Sequence, residues 1–348
     1  MKIAIKHGAV LIDEEGHVTG RDAGATLVRR LLRVFDGASI IGPGPRHCDG
    51  FDVIPLEFVD GNDTVVINMD VIDSVGVWRV LHARCEEPHI MNFVWWNTSQ
   101  YSHRVQRAAL ALSCGLFPTF ANSEHTASEV REIVFAWTTQ PIAEKAKIAW
   151  VNLGIRLEHV QPRHEPSIPV VLYPAIYLSE RKQPRVFLDV VERVAKRTPI
   201  QVEARLHESH LIREMAMDLS RKNWAWVGPL TANREDYWHA LSRTTAFLAT
   251  STEESYGLEY IEALVAGAVG IFPDLDWARE ILPSRYPFLY SSIAQAEEML
   301  YRAVTDTDSC RREIDQAAGG SFVEWLRARH DDDHFERAIA DRVQEWFG

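Results

Sequence analysis

Strand-sized apolar runs alternate with helix-sized amphipathic stretches along nearly the whole chain, and no other feature restricts the fold as much. The runs are rich in Val, Ile and Phe. They fall at 3–5, 39–41, 53–56, 64–68, 89–95 and 116–121, then at 148–153, 170–173, 200–205, 225–227, 246–249 and 269–272. Each ends near Gly, Pro, Asn or Asp, as strands do. Between them lie 25–35, 100–113, 184–195, 211–222 and 234–242, where apolar residues recur with a helical period. Such alternation implies parallel sheets covered by helices on both faces. About a dozen strands are too many for one comfortable open sheet. A length of 348 residues likewise exceeds one ordinary domain. The expectation is an α/β chain of two Rossmann-like, doubly wound domains facing across a cleft.

The first domain is expected over 1–160 and the second over 170–325. Pro162, Pro166 and Pro169, set among mixed charges, mark 161–169 as a linker. Asp331–Asp333 precede a last periodic stretch and offer an N-cap. Residues 326–348 should therefore form a terminal helical segment that packs back on the first domain.

Charge and cysteine usage narrow the partners. A net charge of -12 opposes a phosphate backbone. The local exception is Arg21, Arg29, Arg30 and Arg33, read as a solvated helix face with one functional charge. No apolar stretch approaches the ~18 residues of a membrane span, and the N-terminus is too polar for a signal peptide. Cys48, Cys85, Cys114 and Cys310 lack metal-ligand or redox spacing, which suits reduced core cysteines in a cytoplasmic protein.

In open α/β sheets ligands bind beyond the C-terminal ends of the strands, so the loops that follow strands are the places to search. One of them stands out. After the run 245–250 comes Ser251-Thr252-Glu253-Glu254-Ser255, and a helix is predicted over 256–266, stopped by Gly267. Glu254 then sits at a strand's C-terminal end. Tyr256, Gly257 and Leu258 would present backbone N–H groups at a helix start, where anions bind. Gly257 permits close approach of a ligand. Glu262 lies further along among Ile261, Ala263 and Leu264, where an unpaired charge is costly and a pair of ligand hydroxyls would satisfy it. A sugar, a diphosphate and a ribose in a row match this layout. A plain helix cap with a surface glutamate matches the spacing too.

The run Glu254-Ser255-Tyr256-Gly257-Leu258, followed by Glu262-Ala263-Leu264-Val265-Ala266-Gly267, resembles the Glu-x7-Glu signature of glycosyltransferase family 4. Its members are retaining enzymes of the two-domain GT-B type; Tyr256 stands where they usually carry Phe. The resemblance implies that Glu254, Ser255, Tyr256, Gly257 and Leu258 hold the donor sugar and diphosphate and that Glu262 binds the ribose. Ala23-Gly24 resembles a reduced form of the family's N-terminal glycine pair, which puts Gly24 under the diphosphate. Ala121–Thr126 and Asn152–Ile155 are similar to two other steps of that family. Lys182 occupies the place of its diphosphate-facing Lys. The partner Arg position falls on Tyr177, with Arg181 or Arg185 as substitutes. The family's glycine-rich loop is replaced by Leu206–His210. His207 and His210 there are read as loop and helix-start residues, not as a metal pair. Gly228 and Leu230 would lie near the nucleobase. Asn97 falls near an expected acceptor-side His, with His103 close by and Trp96 as a stacking surface.

The resemblance thus implies transfer of a hexose from a UDP-glucose- or GDP-mannose-type donor to an acceptor hydroxyl, with retention. Glu254 and Lys182 would be catalytic, and the departing phosphate would help remove the acceptor proton. The first domain would bind the acceptor. The nucleotide sugar is a co-substrate, and with no Asp-x-Asp motif no metal is expected. Two other readings stay open. One is a non-catalytic module that binds nucleotide sugars or glycans. The other is a glycosyltransferase acting on a hydroxylated base in DNA, using the arginines near the N-terminus.

Overall fold

The computed structural model describes every residue except Arg21 and Ala232; the Arg21 part of the expected basic patch therefore lies outside the described residues. The chain divides into two compact units, Met1–Leu153 with Asp333–Gly348, and Gly154–Asp332. The strands are β1 (Lys2–Lys6), β2 (Leu11–Ile12), β3 (Val18–Thr19), β4 (Ser39–Ile41), β5 (Arg46–His47), β6 (Asp52–Ile54), β7 (Thr64–Asn68), β8 (His89–Val94), β9 (Thr119–Ala121) and β10 (Ile148–Trp150) in the first unit. The second has β11 (Val170–Tyr173), β12 (Gln201–Leu206), β13 (Ala225–Pro229), β14 (Ala246–Leu248), β15 (Val269–Pro273) and β16 (Leu289–Tyr290).

Both units carry the doubly wound α/β architecture. In the second, the sheet order is β13-β12-β11-β14-β15-β16 and every pairing is parallel. The first strand lies in the middle, the chain winds outward on one side, then returns and winds outward on the other. The first unit repeats this pattern as β10-β9-β8-β7-β1-β4-β6, with only the edge strand β5 antiparallel. Strands buried on both faces read as unbroken apolar runs, and the central ones do so. Val65, Val66 and Ile67 of β7, and Val171, Ala246, Phe247 and Ile271 of β11, β14 and β15, are closed to solvent.

Local sequence explains the covering helices. Pro184–Arg197 starts with Pro at its first turn and ends with Lys196 and Arg197 against the negative end of its dipole. Its buried residues are Phe187, Val190, Val191 and Val194, one stripe at helical spacing. Each contributes roughly 1.5–3 kcal/mol on burial. The four cysteines are buried and none forms a disulfide. No helix of the described residues is long and apolar enough to cross a membrane.

Several boundaries and roles differ from those read in the sequence. The segment expected as a linker over 161–169 belongs to the second unit. Arg163 bonds the Thr244 carbonyl, the His164 N–H donates to Ser242 O at 3.0 Å, and Glu165 pairs with Arg311 at 2.7 Å. Proline and charge marked an irregular path, but buried backbone acceptors at the strand edge hold it in place. The last helix runs Asp332–Phe347, and Phe335 packs on Phe93 and Phe120 in the first unit. Of the arginines of Ala23–Val34, Arg29 and Arg33 are exposed, as a solvated face requires, though Arg29 donates to the carbonyls of Val18 and Gly20 and Arg33 pairs with Glu336. Arg30 departs from that face and is buried over the Phe335 ring at 4.4 Å.

Tyr256 is tied into the second unit's core. The Gly154 N–H donates to its phenol oxygen at 3.1 Å, and the phenol pairs with His330 Nδ1 at 2.6 Å. A Phe here would remove the bond that each of these groups makes to the phenol, which accounts for the hydroxyl. Burial, helped by the Arg329 charge, lowers the His330 pKa to about 4. The unfolded chain takes up its proton near pH 6.5, and the folded chain resists until about 4. Stability should therefore be greatest above about 6.5 and fall by up to roughly 3 kcal/mol as pH drops toward 4. Urea midpoints measured across that window in wild type and His330→Gln test this: the wild-type slope should flatten in the variant.

Candidate functional site

The second unit's strand order reverses between β11 and β14, so the loops leaving those two strands diverge and leave a crevice at their C-terminal ends. Lys182 stands in the first loop and Glu254 in the second. The two loops are stitched together: the Thr252 N–H donates to Arg181 O at 2.9 Å, and Thr250 Oγ1 donates to Lys182 O at 2.6 Å. Lys182 Nζ pairs with Glu254 and, at 3.3 Å, with Glu259; Tyr260 donates its hydroxyl to the same Glu254 oxygen at 2.9 Å. Arg181 pairs with Glu253 at 3.7 Å. Burial opposes the Lys182 charge, yet the attraction of Glu259 and Glu254 outweighs it and holds the ammonium above its usual pKa. Burial beside Glu254 pushes the Tyr260 phenol well up, so it stays a hydrogen-bond donor.

The helix that follows is Leu258–Val265, two residues shorter at its start than the sequence suggests. Gly257 is its N-cap at φ 78°, a left-handed conformation that strains any residue with a side chain. A Cβ there would also sit 2.6 Å from the Tyr260 ring. No side chain caps this helix, so its first N–H groups lack a side-chain acceptor. Ser255 and Leu258 flank the turn, both half-buried. The Tyr256 ring points away into the core contacts described above and offers no ligand surface.

Glu262 already has partners within its own unit. Arg234 pairs with one carboxylate oxygen and Tyr237 donates to the other at 2.6 Å. Both partners come from the helix Arg234–Ser242, which the sequence shows but whose packing against Glu262, some 25 residues on, it does not. Tyr177, at the expected Arg position, packs between His207 (5.4 Å) and His210 (5.2 Å between ring centres). His207 caps its own short helix, and the Leu178 N–H donates to His210 Nδ1 at 3.0 Å. These imidazoles are structural. Gly228 lies inside β13, which runs two residues past the predicted end, with Leu230 just beyond it.

The acceptor-side residues are spread out. Trp96 is buried with Val94, Leu110 and Val130 and meets Tyr101 edge-on at 4.7 Å, so it is core and not a stacking platform. Asn97 is buried and accepts from the Ser99 N–H at 2.9 Å. His103 caps the helix Arg104–Leu116 from an exposed position. The first unit has its own reversal, between β1 and β7, and there the structure gathers residues the sequence reading did not single out. His7 Nδ1 lies 3.1 Å from Asp70 Oδ1, Lys6 Nζ reaches Asp70 at 2.9 Å and Asp73 at 2.7 Å, and the Gly8 N–H donates to Asp70 Oδ2 at 2.7 Å. Burial would raise the Asp70 pKa, but the His7 and Lys6 bonds hold it at about 2. Gly24 packs against this group: a Cβ on it would lie 2.5 Å from His7 Nε2.

No family model matches the chain, and no curated protein matches it in sequence. Solved structures do. A trehalose-6-phosphate synthase, OtsA, aligns over 99% of this chain and 99% of its own, with TM-score 0.70 and 10% identity. The sucrose-phosphate synthase of Thermosynechococcus elongatus aligns over 99% of both chains at TM-score 0.66 and 12% identity. The fold is GT-B. A pneumococcal O-GlcNAc transferase, GtfA, solved with UDP and GlcNAc, covers 82% of this chain and 57% of its own at TM-score 0.59 and 14% identity.

Removing the Tyr237 hydroxyl leaves a Glu262 oxygen buried and short of a donor. Tyr237→Phe should cost about 1–3 kcal/mol in chemical denaturation, and Glu262→Gln in the same chain should recover part of it. Equal losses in the single and double variants would refute the coupling.

Proposed function

We propose that the chain is a glycosyltransferase that moves a hexose from a nucleoside diphosphate sugar to an acceptor hydroxyl with retention, a member of the family 4 type that its Glu-x7-Glu segment resembles. The observation that carries this reading is the convergence of Lys182 and Glu254 at the second unit's strand reversal, beside an uncapped helix start. The diphosphate would lie on the N–H groups at Gly257 and Leu258 and take Lys182 as its counter-charge. Glu254 would then accept hydroxyls of the hexose. Glu262, held by Arg234 and Tyr237, keeps lone pairs for a ribose. As the bond from the anomeric carbon to the diphosphate breaks, its electron pair leaves on the phosphate, where Lys182 and the helix start stabilise it. Arg181 adds charge if it parts from Glu253. Nothing in this scheme calls for a metal, and buried thiols suit a cytoplasmic setting.

The neighbours suggest which substrates to try first. Two solved trehalose-phosphate synthases from Burkholderia xenovorans are described as UDP-forming, one of them in complex with glucose-6-phosphate. UDP-glucose with glucose-6-phosphate is therefore the first pair, followed by GDP-mannose and ADP-glucose. A second reading, a nucleotide-sugar-binding module without turnover, draws on Tyr177 in place of the Arg. Stabilisation by a donor without release of nucleotide, with or without acceptor, would select it.

The donor that raises the melting temperature should be turned over in EDTA at an undiminished rate. Glu254→Ala should lower nucleotide release by a hundredfold or more, and Lys182→Ala should lower kcat more than it weakens donor binding. Full transfer by Glu254→Ala with a verified donor would sink the assignment.

A further inference from the structure

Strand β12 departs from the apolar pattern of β11 and β14. Those two are buried at every residue, as strands covered on both faces are. In Gln201–Leu206 only Val202, Ala204 and Leu206 are buried, and Gln201, Glu203 and Arg205 alternate with them. A period of two puts those three on one face of the sheet. The strand order explains why that face is open. The chain winds from β11 out to the edge at β13, then returns across β12 and β11 to β14 through the helix Arg234–Ser242. Right-handed crossovers place the helices of the outward path on one face and the returning helix on the other. A single returning helix cannot cover every strand it passes, and a recess of about 400 Å³ remains between it and β12. The recess is lined by Gln201, Glu203 and Arg205 from the strand and by Asp236, His239 and Arg243 from the helix and its end. It is distinct from the donor crevice. At helical spacing Asp236, His239 and Arg243 lie on the opposite side of the helix from Arg234 and Tyr237, which hold Glu262.

The chemistry of the lining selects a ligand. Glu203 and Arg205 pair with each other while partly buried. Such a pair adds little to stability, and apolar residues of like size would serve the fold as well. The pairing also leaves Arg205 Nε buried with no hydrogen-bond partner among the described residues, a cost that a ligand oxygen would remove. Two carboxylates, Glu203 and Asp236, stand against two guanidiniums, Arg205 and Arg243, so the recess has no net charge with which to hold an ion. It offers donors and acceptors side by side, which suits hydroxyl groups, since each both gives and accepts hydrogen bonds. A flat apolar surface stands next to it. Trp226 is 41% exposed and pairs with Glu203 in strand register, so it shares that face of the sheet. Its ring lies over Gly228, where a Cβ would come within 2.4 Å of it, and the Arg205 guanidinium sits 4.9 Å from the ring centre. We propose that this recess binds a saccharide, one sugar ring packing its C–H face on Trp226 and the hydroxyls bonding Arg205, Glu203 and Arg243. From Arg205 to Gln201 the strand runs about 13 Å at roughly 3.3 Å per residue. That is longer than one sugar ring, so the ligand is an oligosaccharide. The site stands independently of the glycosyltransferase reading.

Titration calorimetry on the full chain tests this, with maltotriose, cellotriose and mannotriose as probes and inorganic phosphate as a competitor. At least one saccharide should bind, and phosphate should not displace it. Trp226→Ala and Arg243→Ala change exposed side chains and should keep the wild-type melting temperature. Each should weaken the saccharide by about tenfold or more. Trp226→Tyr, which keeps a flat ring, should recover most of what Trp226→Ala loses. Three saccharides that all fail to bind would overturn the proposal. So would undiminished binding in either alanine variant, which would put the saccharide elsewhere on the chain, or displacement by phosphate, which would mark the recess as an ion site.

Discussion

When a parallel sheet starts in its middle and winds first to one side and then to the other, the two loops at the reversal part company, and the polar strand ends between them stay uncovered. Everything of chemical interest in this protein depends on that constraint. It operates twice, between β1 and β7 and again between β11 and β14. At the second reversal the loops bring a lysine to two glutamates. At the first they bring a histidine to an aspartate.

Buried hydrogen bonds explain several residues that look out of place. Tyr256 sits buried in the core, and its hydroxyl joins the Gly154 N–H to His330. Glu262 sits in an apolar stretch of helix and is matched by Arg234 and Tyr237. In the first unit Asn68, Ser74 and Asn92 form a continuous buried chain that ends on Thr119. A polar group inside a low-dielectric core is costly alone and rigidifying when satisfied. Here the chain through Asn68 runs directly to the loop that holds Asp70.

The alternation of apolar runs and amphipathic stretches made the two α/β units legible, because strands buried on both faces must be apolar throughout. The Glu254–Glu262 segment was legible because its strand, loop and helix are consecutive in the chain. What escaped notice joins residues far apart. His7 and Asp70 are 63 positions apart, and only the pairing of β1 with β7 brings them together. Arg234 and Tyr237 reach Glu262 from a separate helix. Trp96 was misjudged for the opposite reason: an aromatic next to a strand end suggests a stacking surface, but the adjacent helix Arg104–Leu116 closes over it. The proline-rich path at 161–169 carried the signature of a tether, and the carbonyls that fasten it lie some 80 residues downstream.

Lys182 has a further consequence in its resting state. Its charge is already spoken for by Glu254 and Glu259. On the proposed reading, an arriving diphosphate would have to displace a carboxylate before it could use the ammonium, so binding would be an exchange of partners and not the filling of a vacancy. A free nucleotide would take the lysine but leave Glu254 stranded beside its own negative charge, whereas an intact sugar nucleotide would bring hydroxyls that restore what Glu254 gives up. The same ion pair would then rank the two ligands, holding the one with its hexose more firmly and helping to expel the one that has lost it.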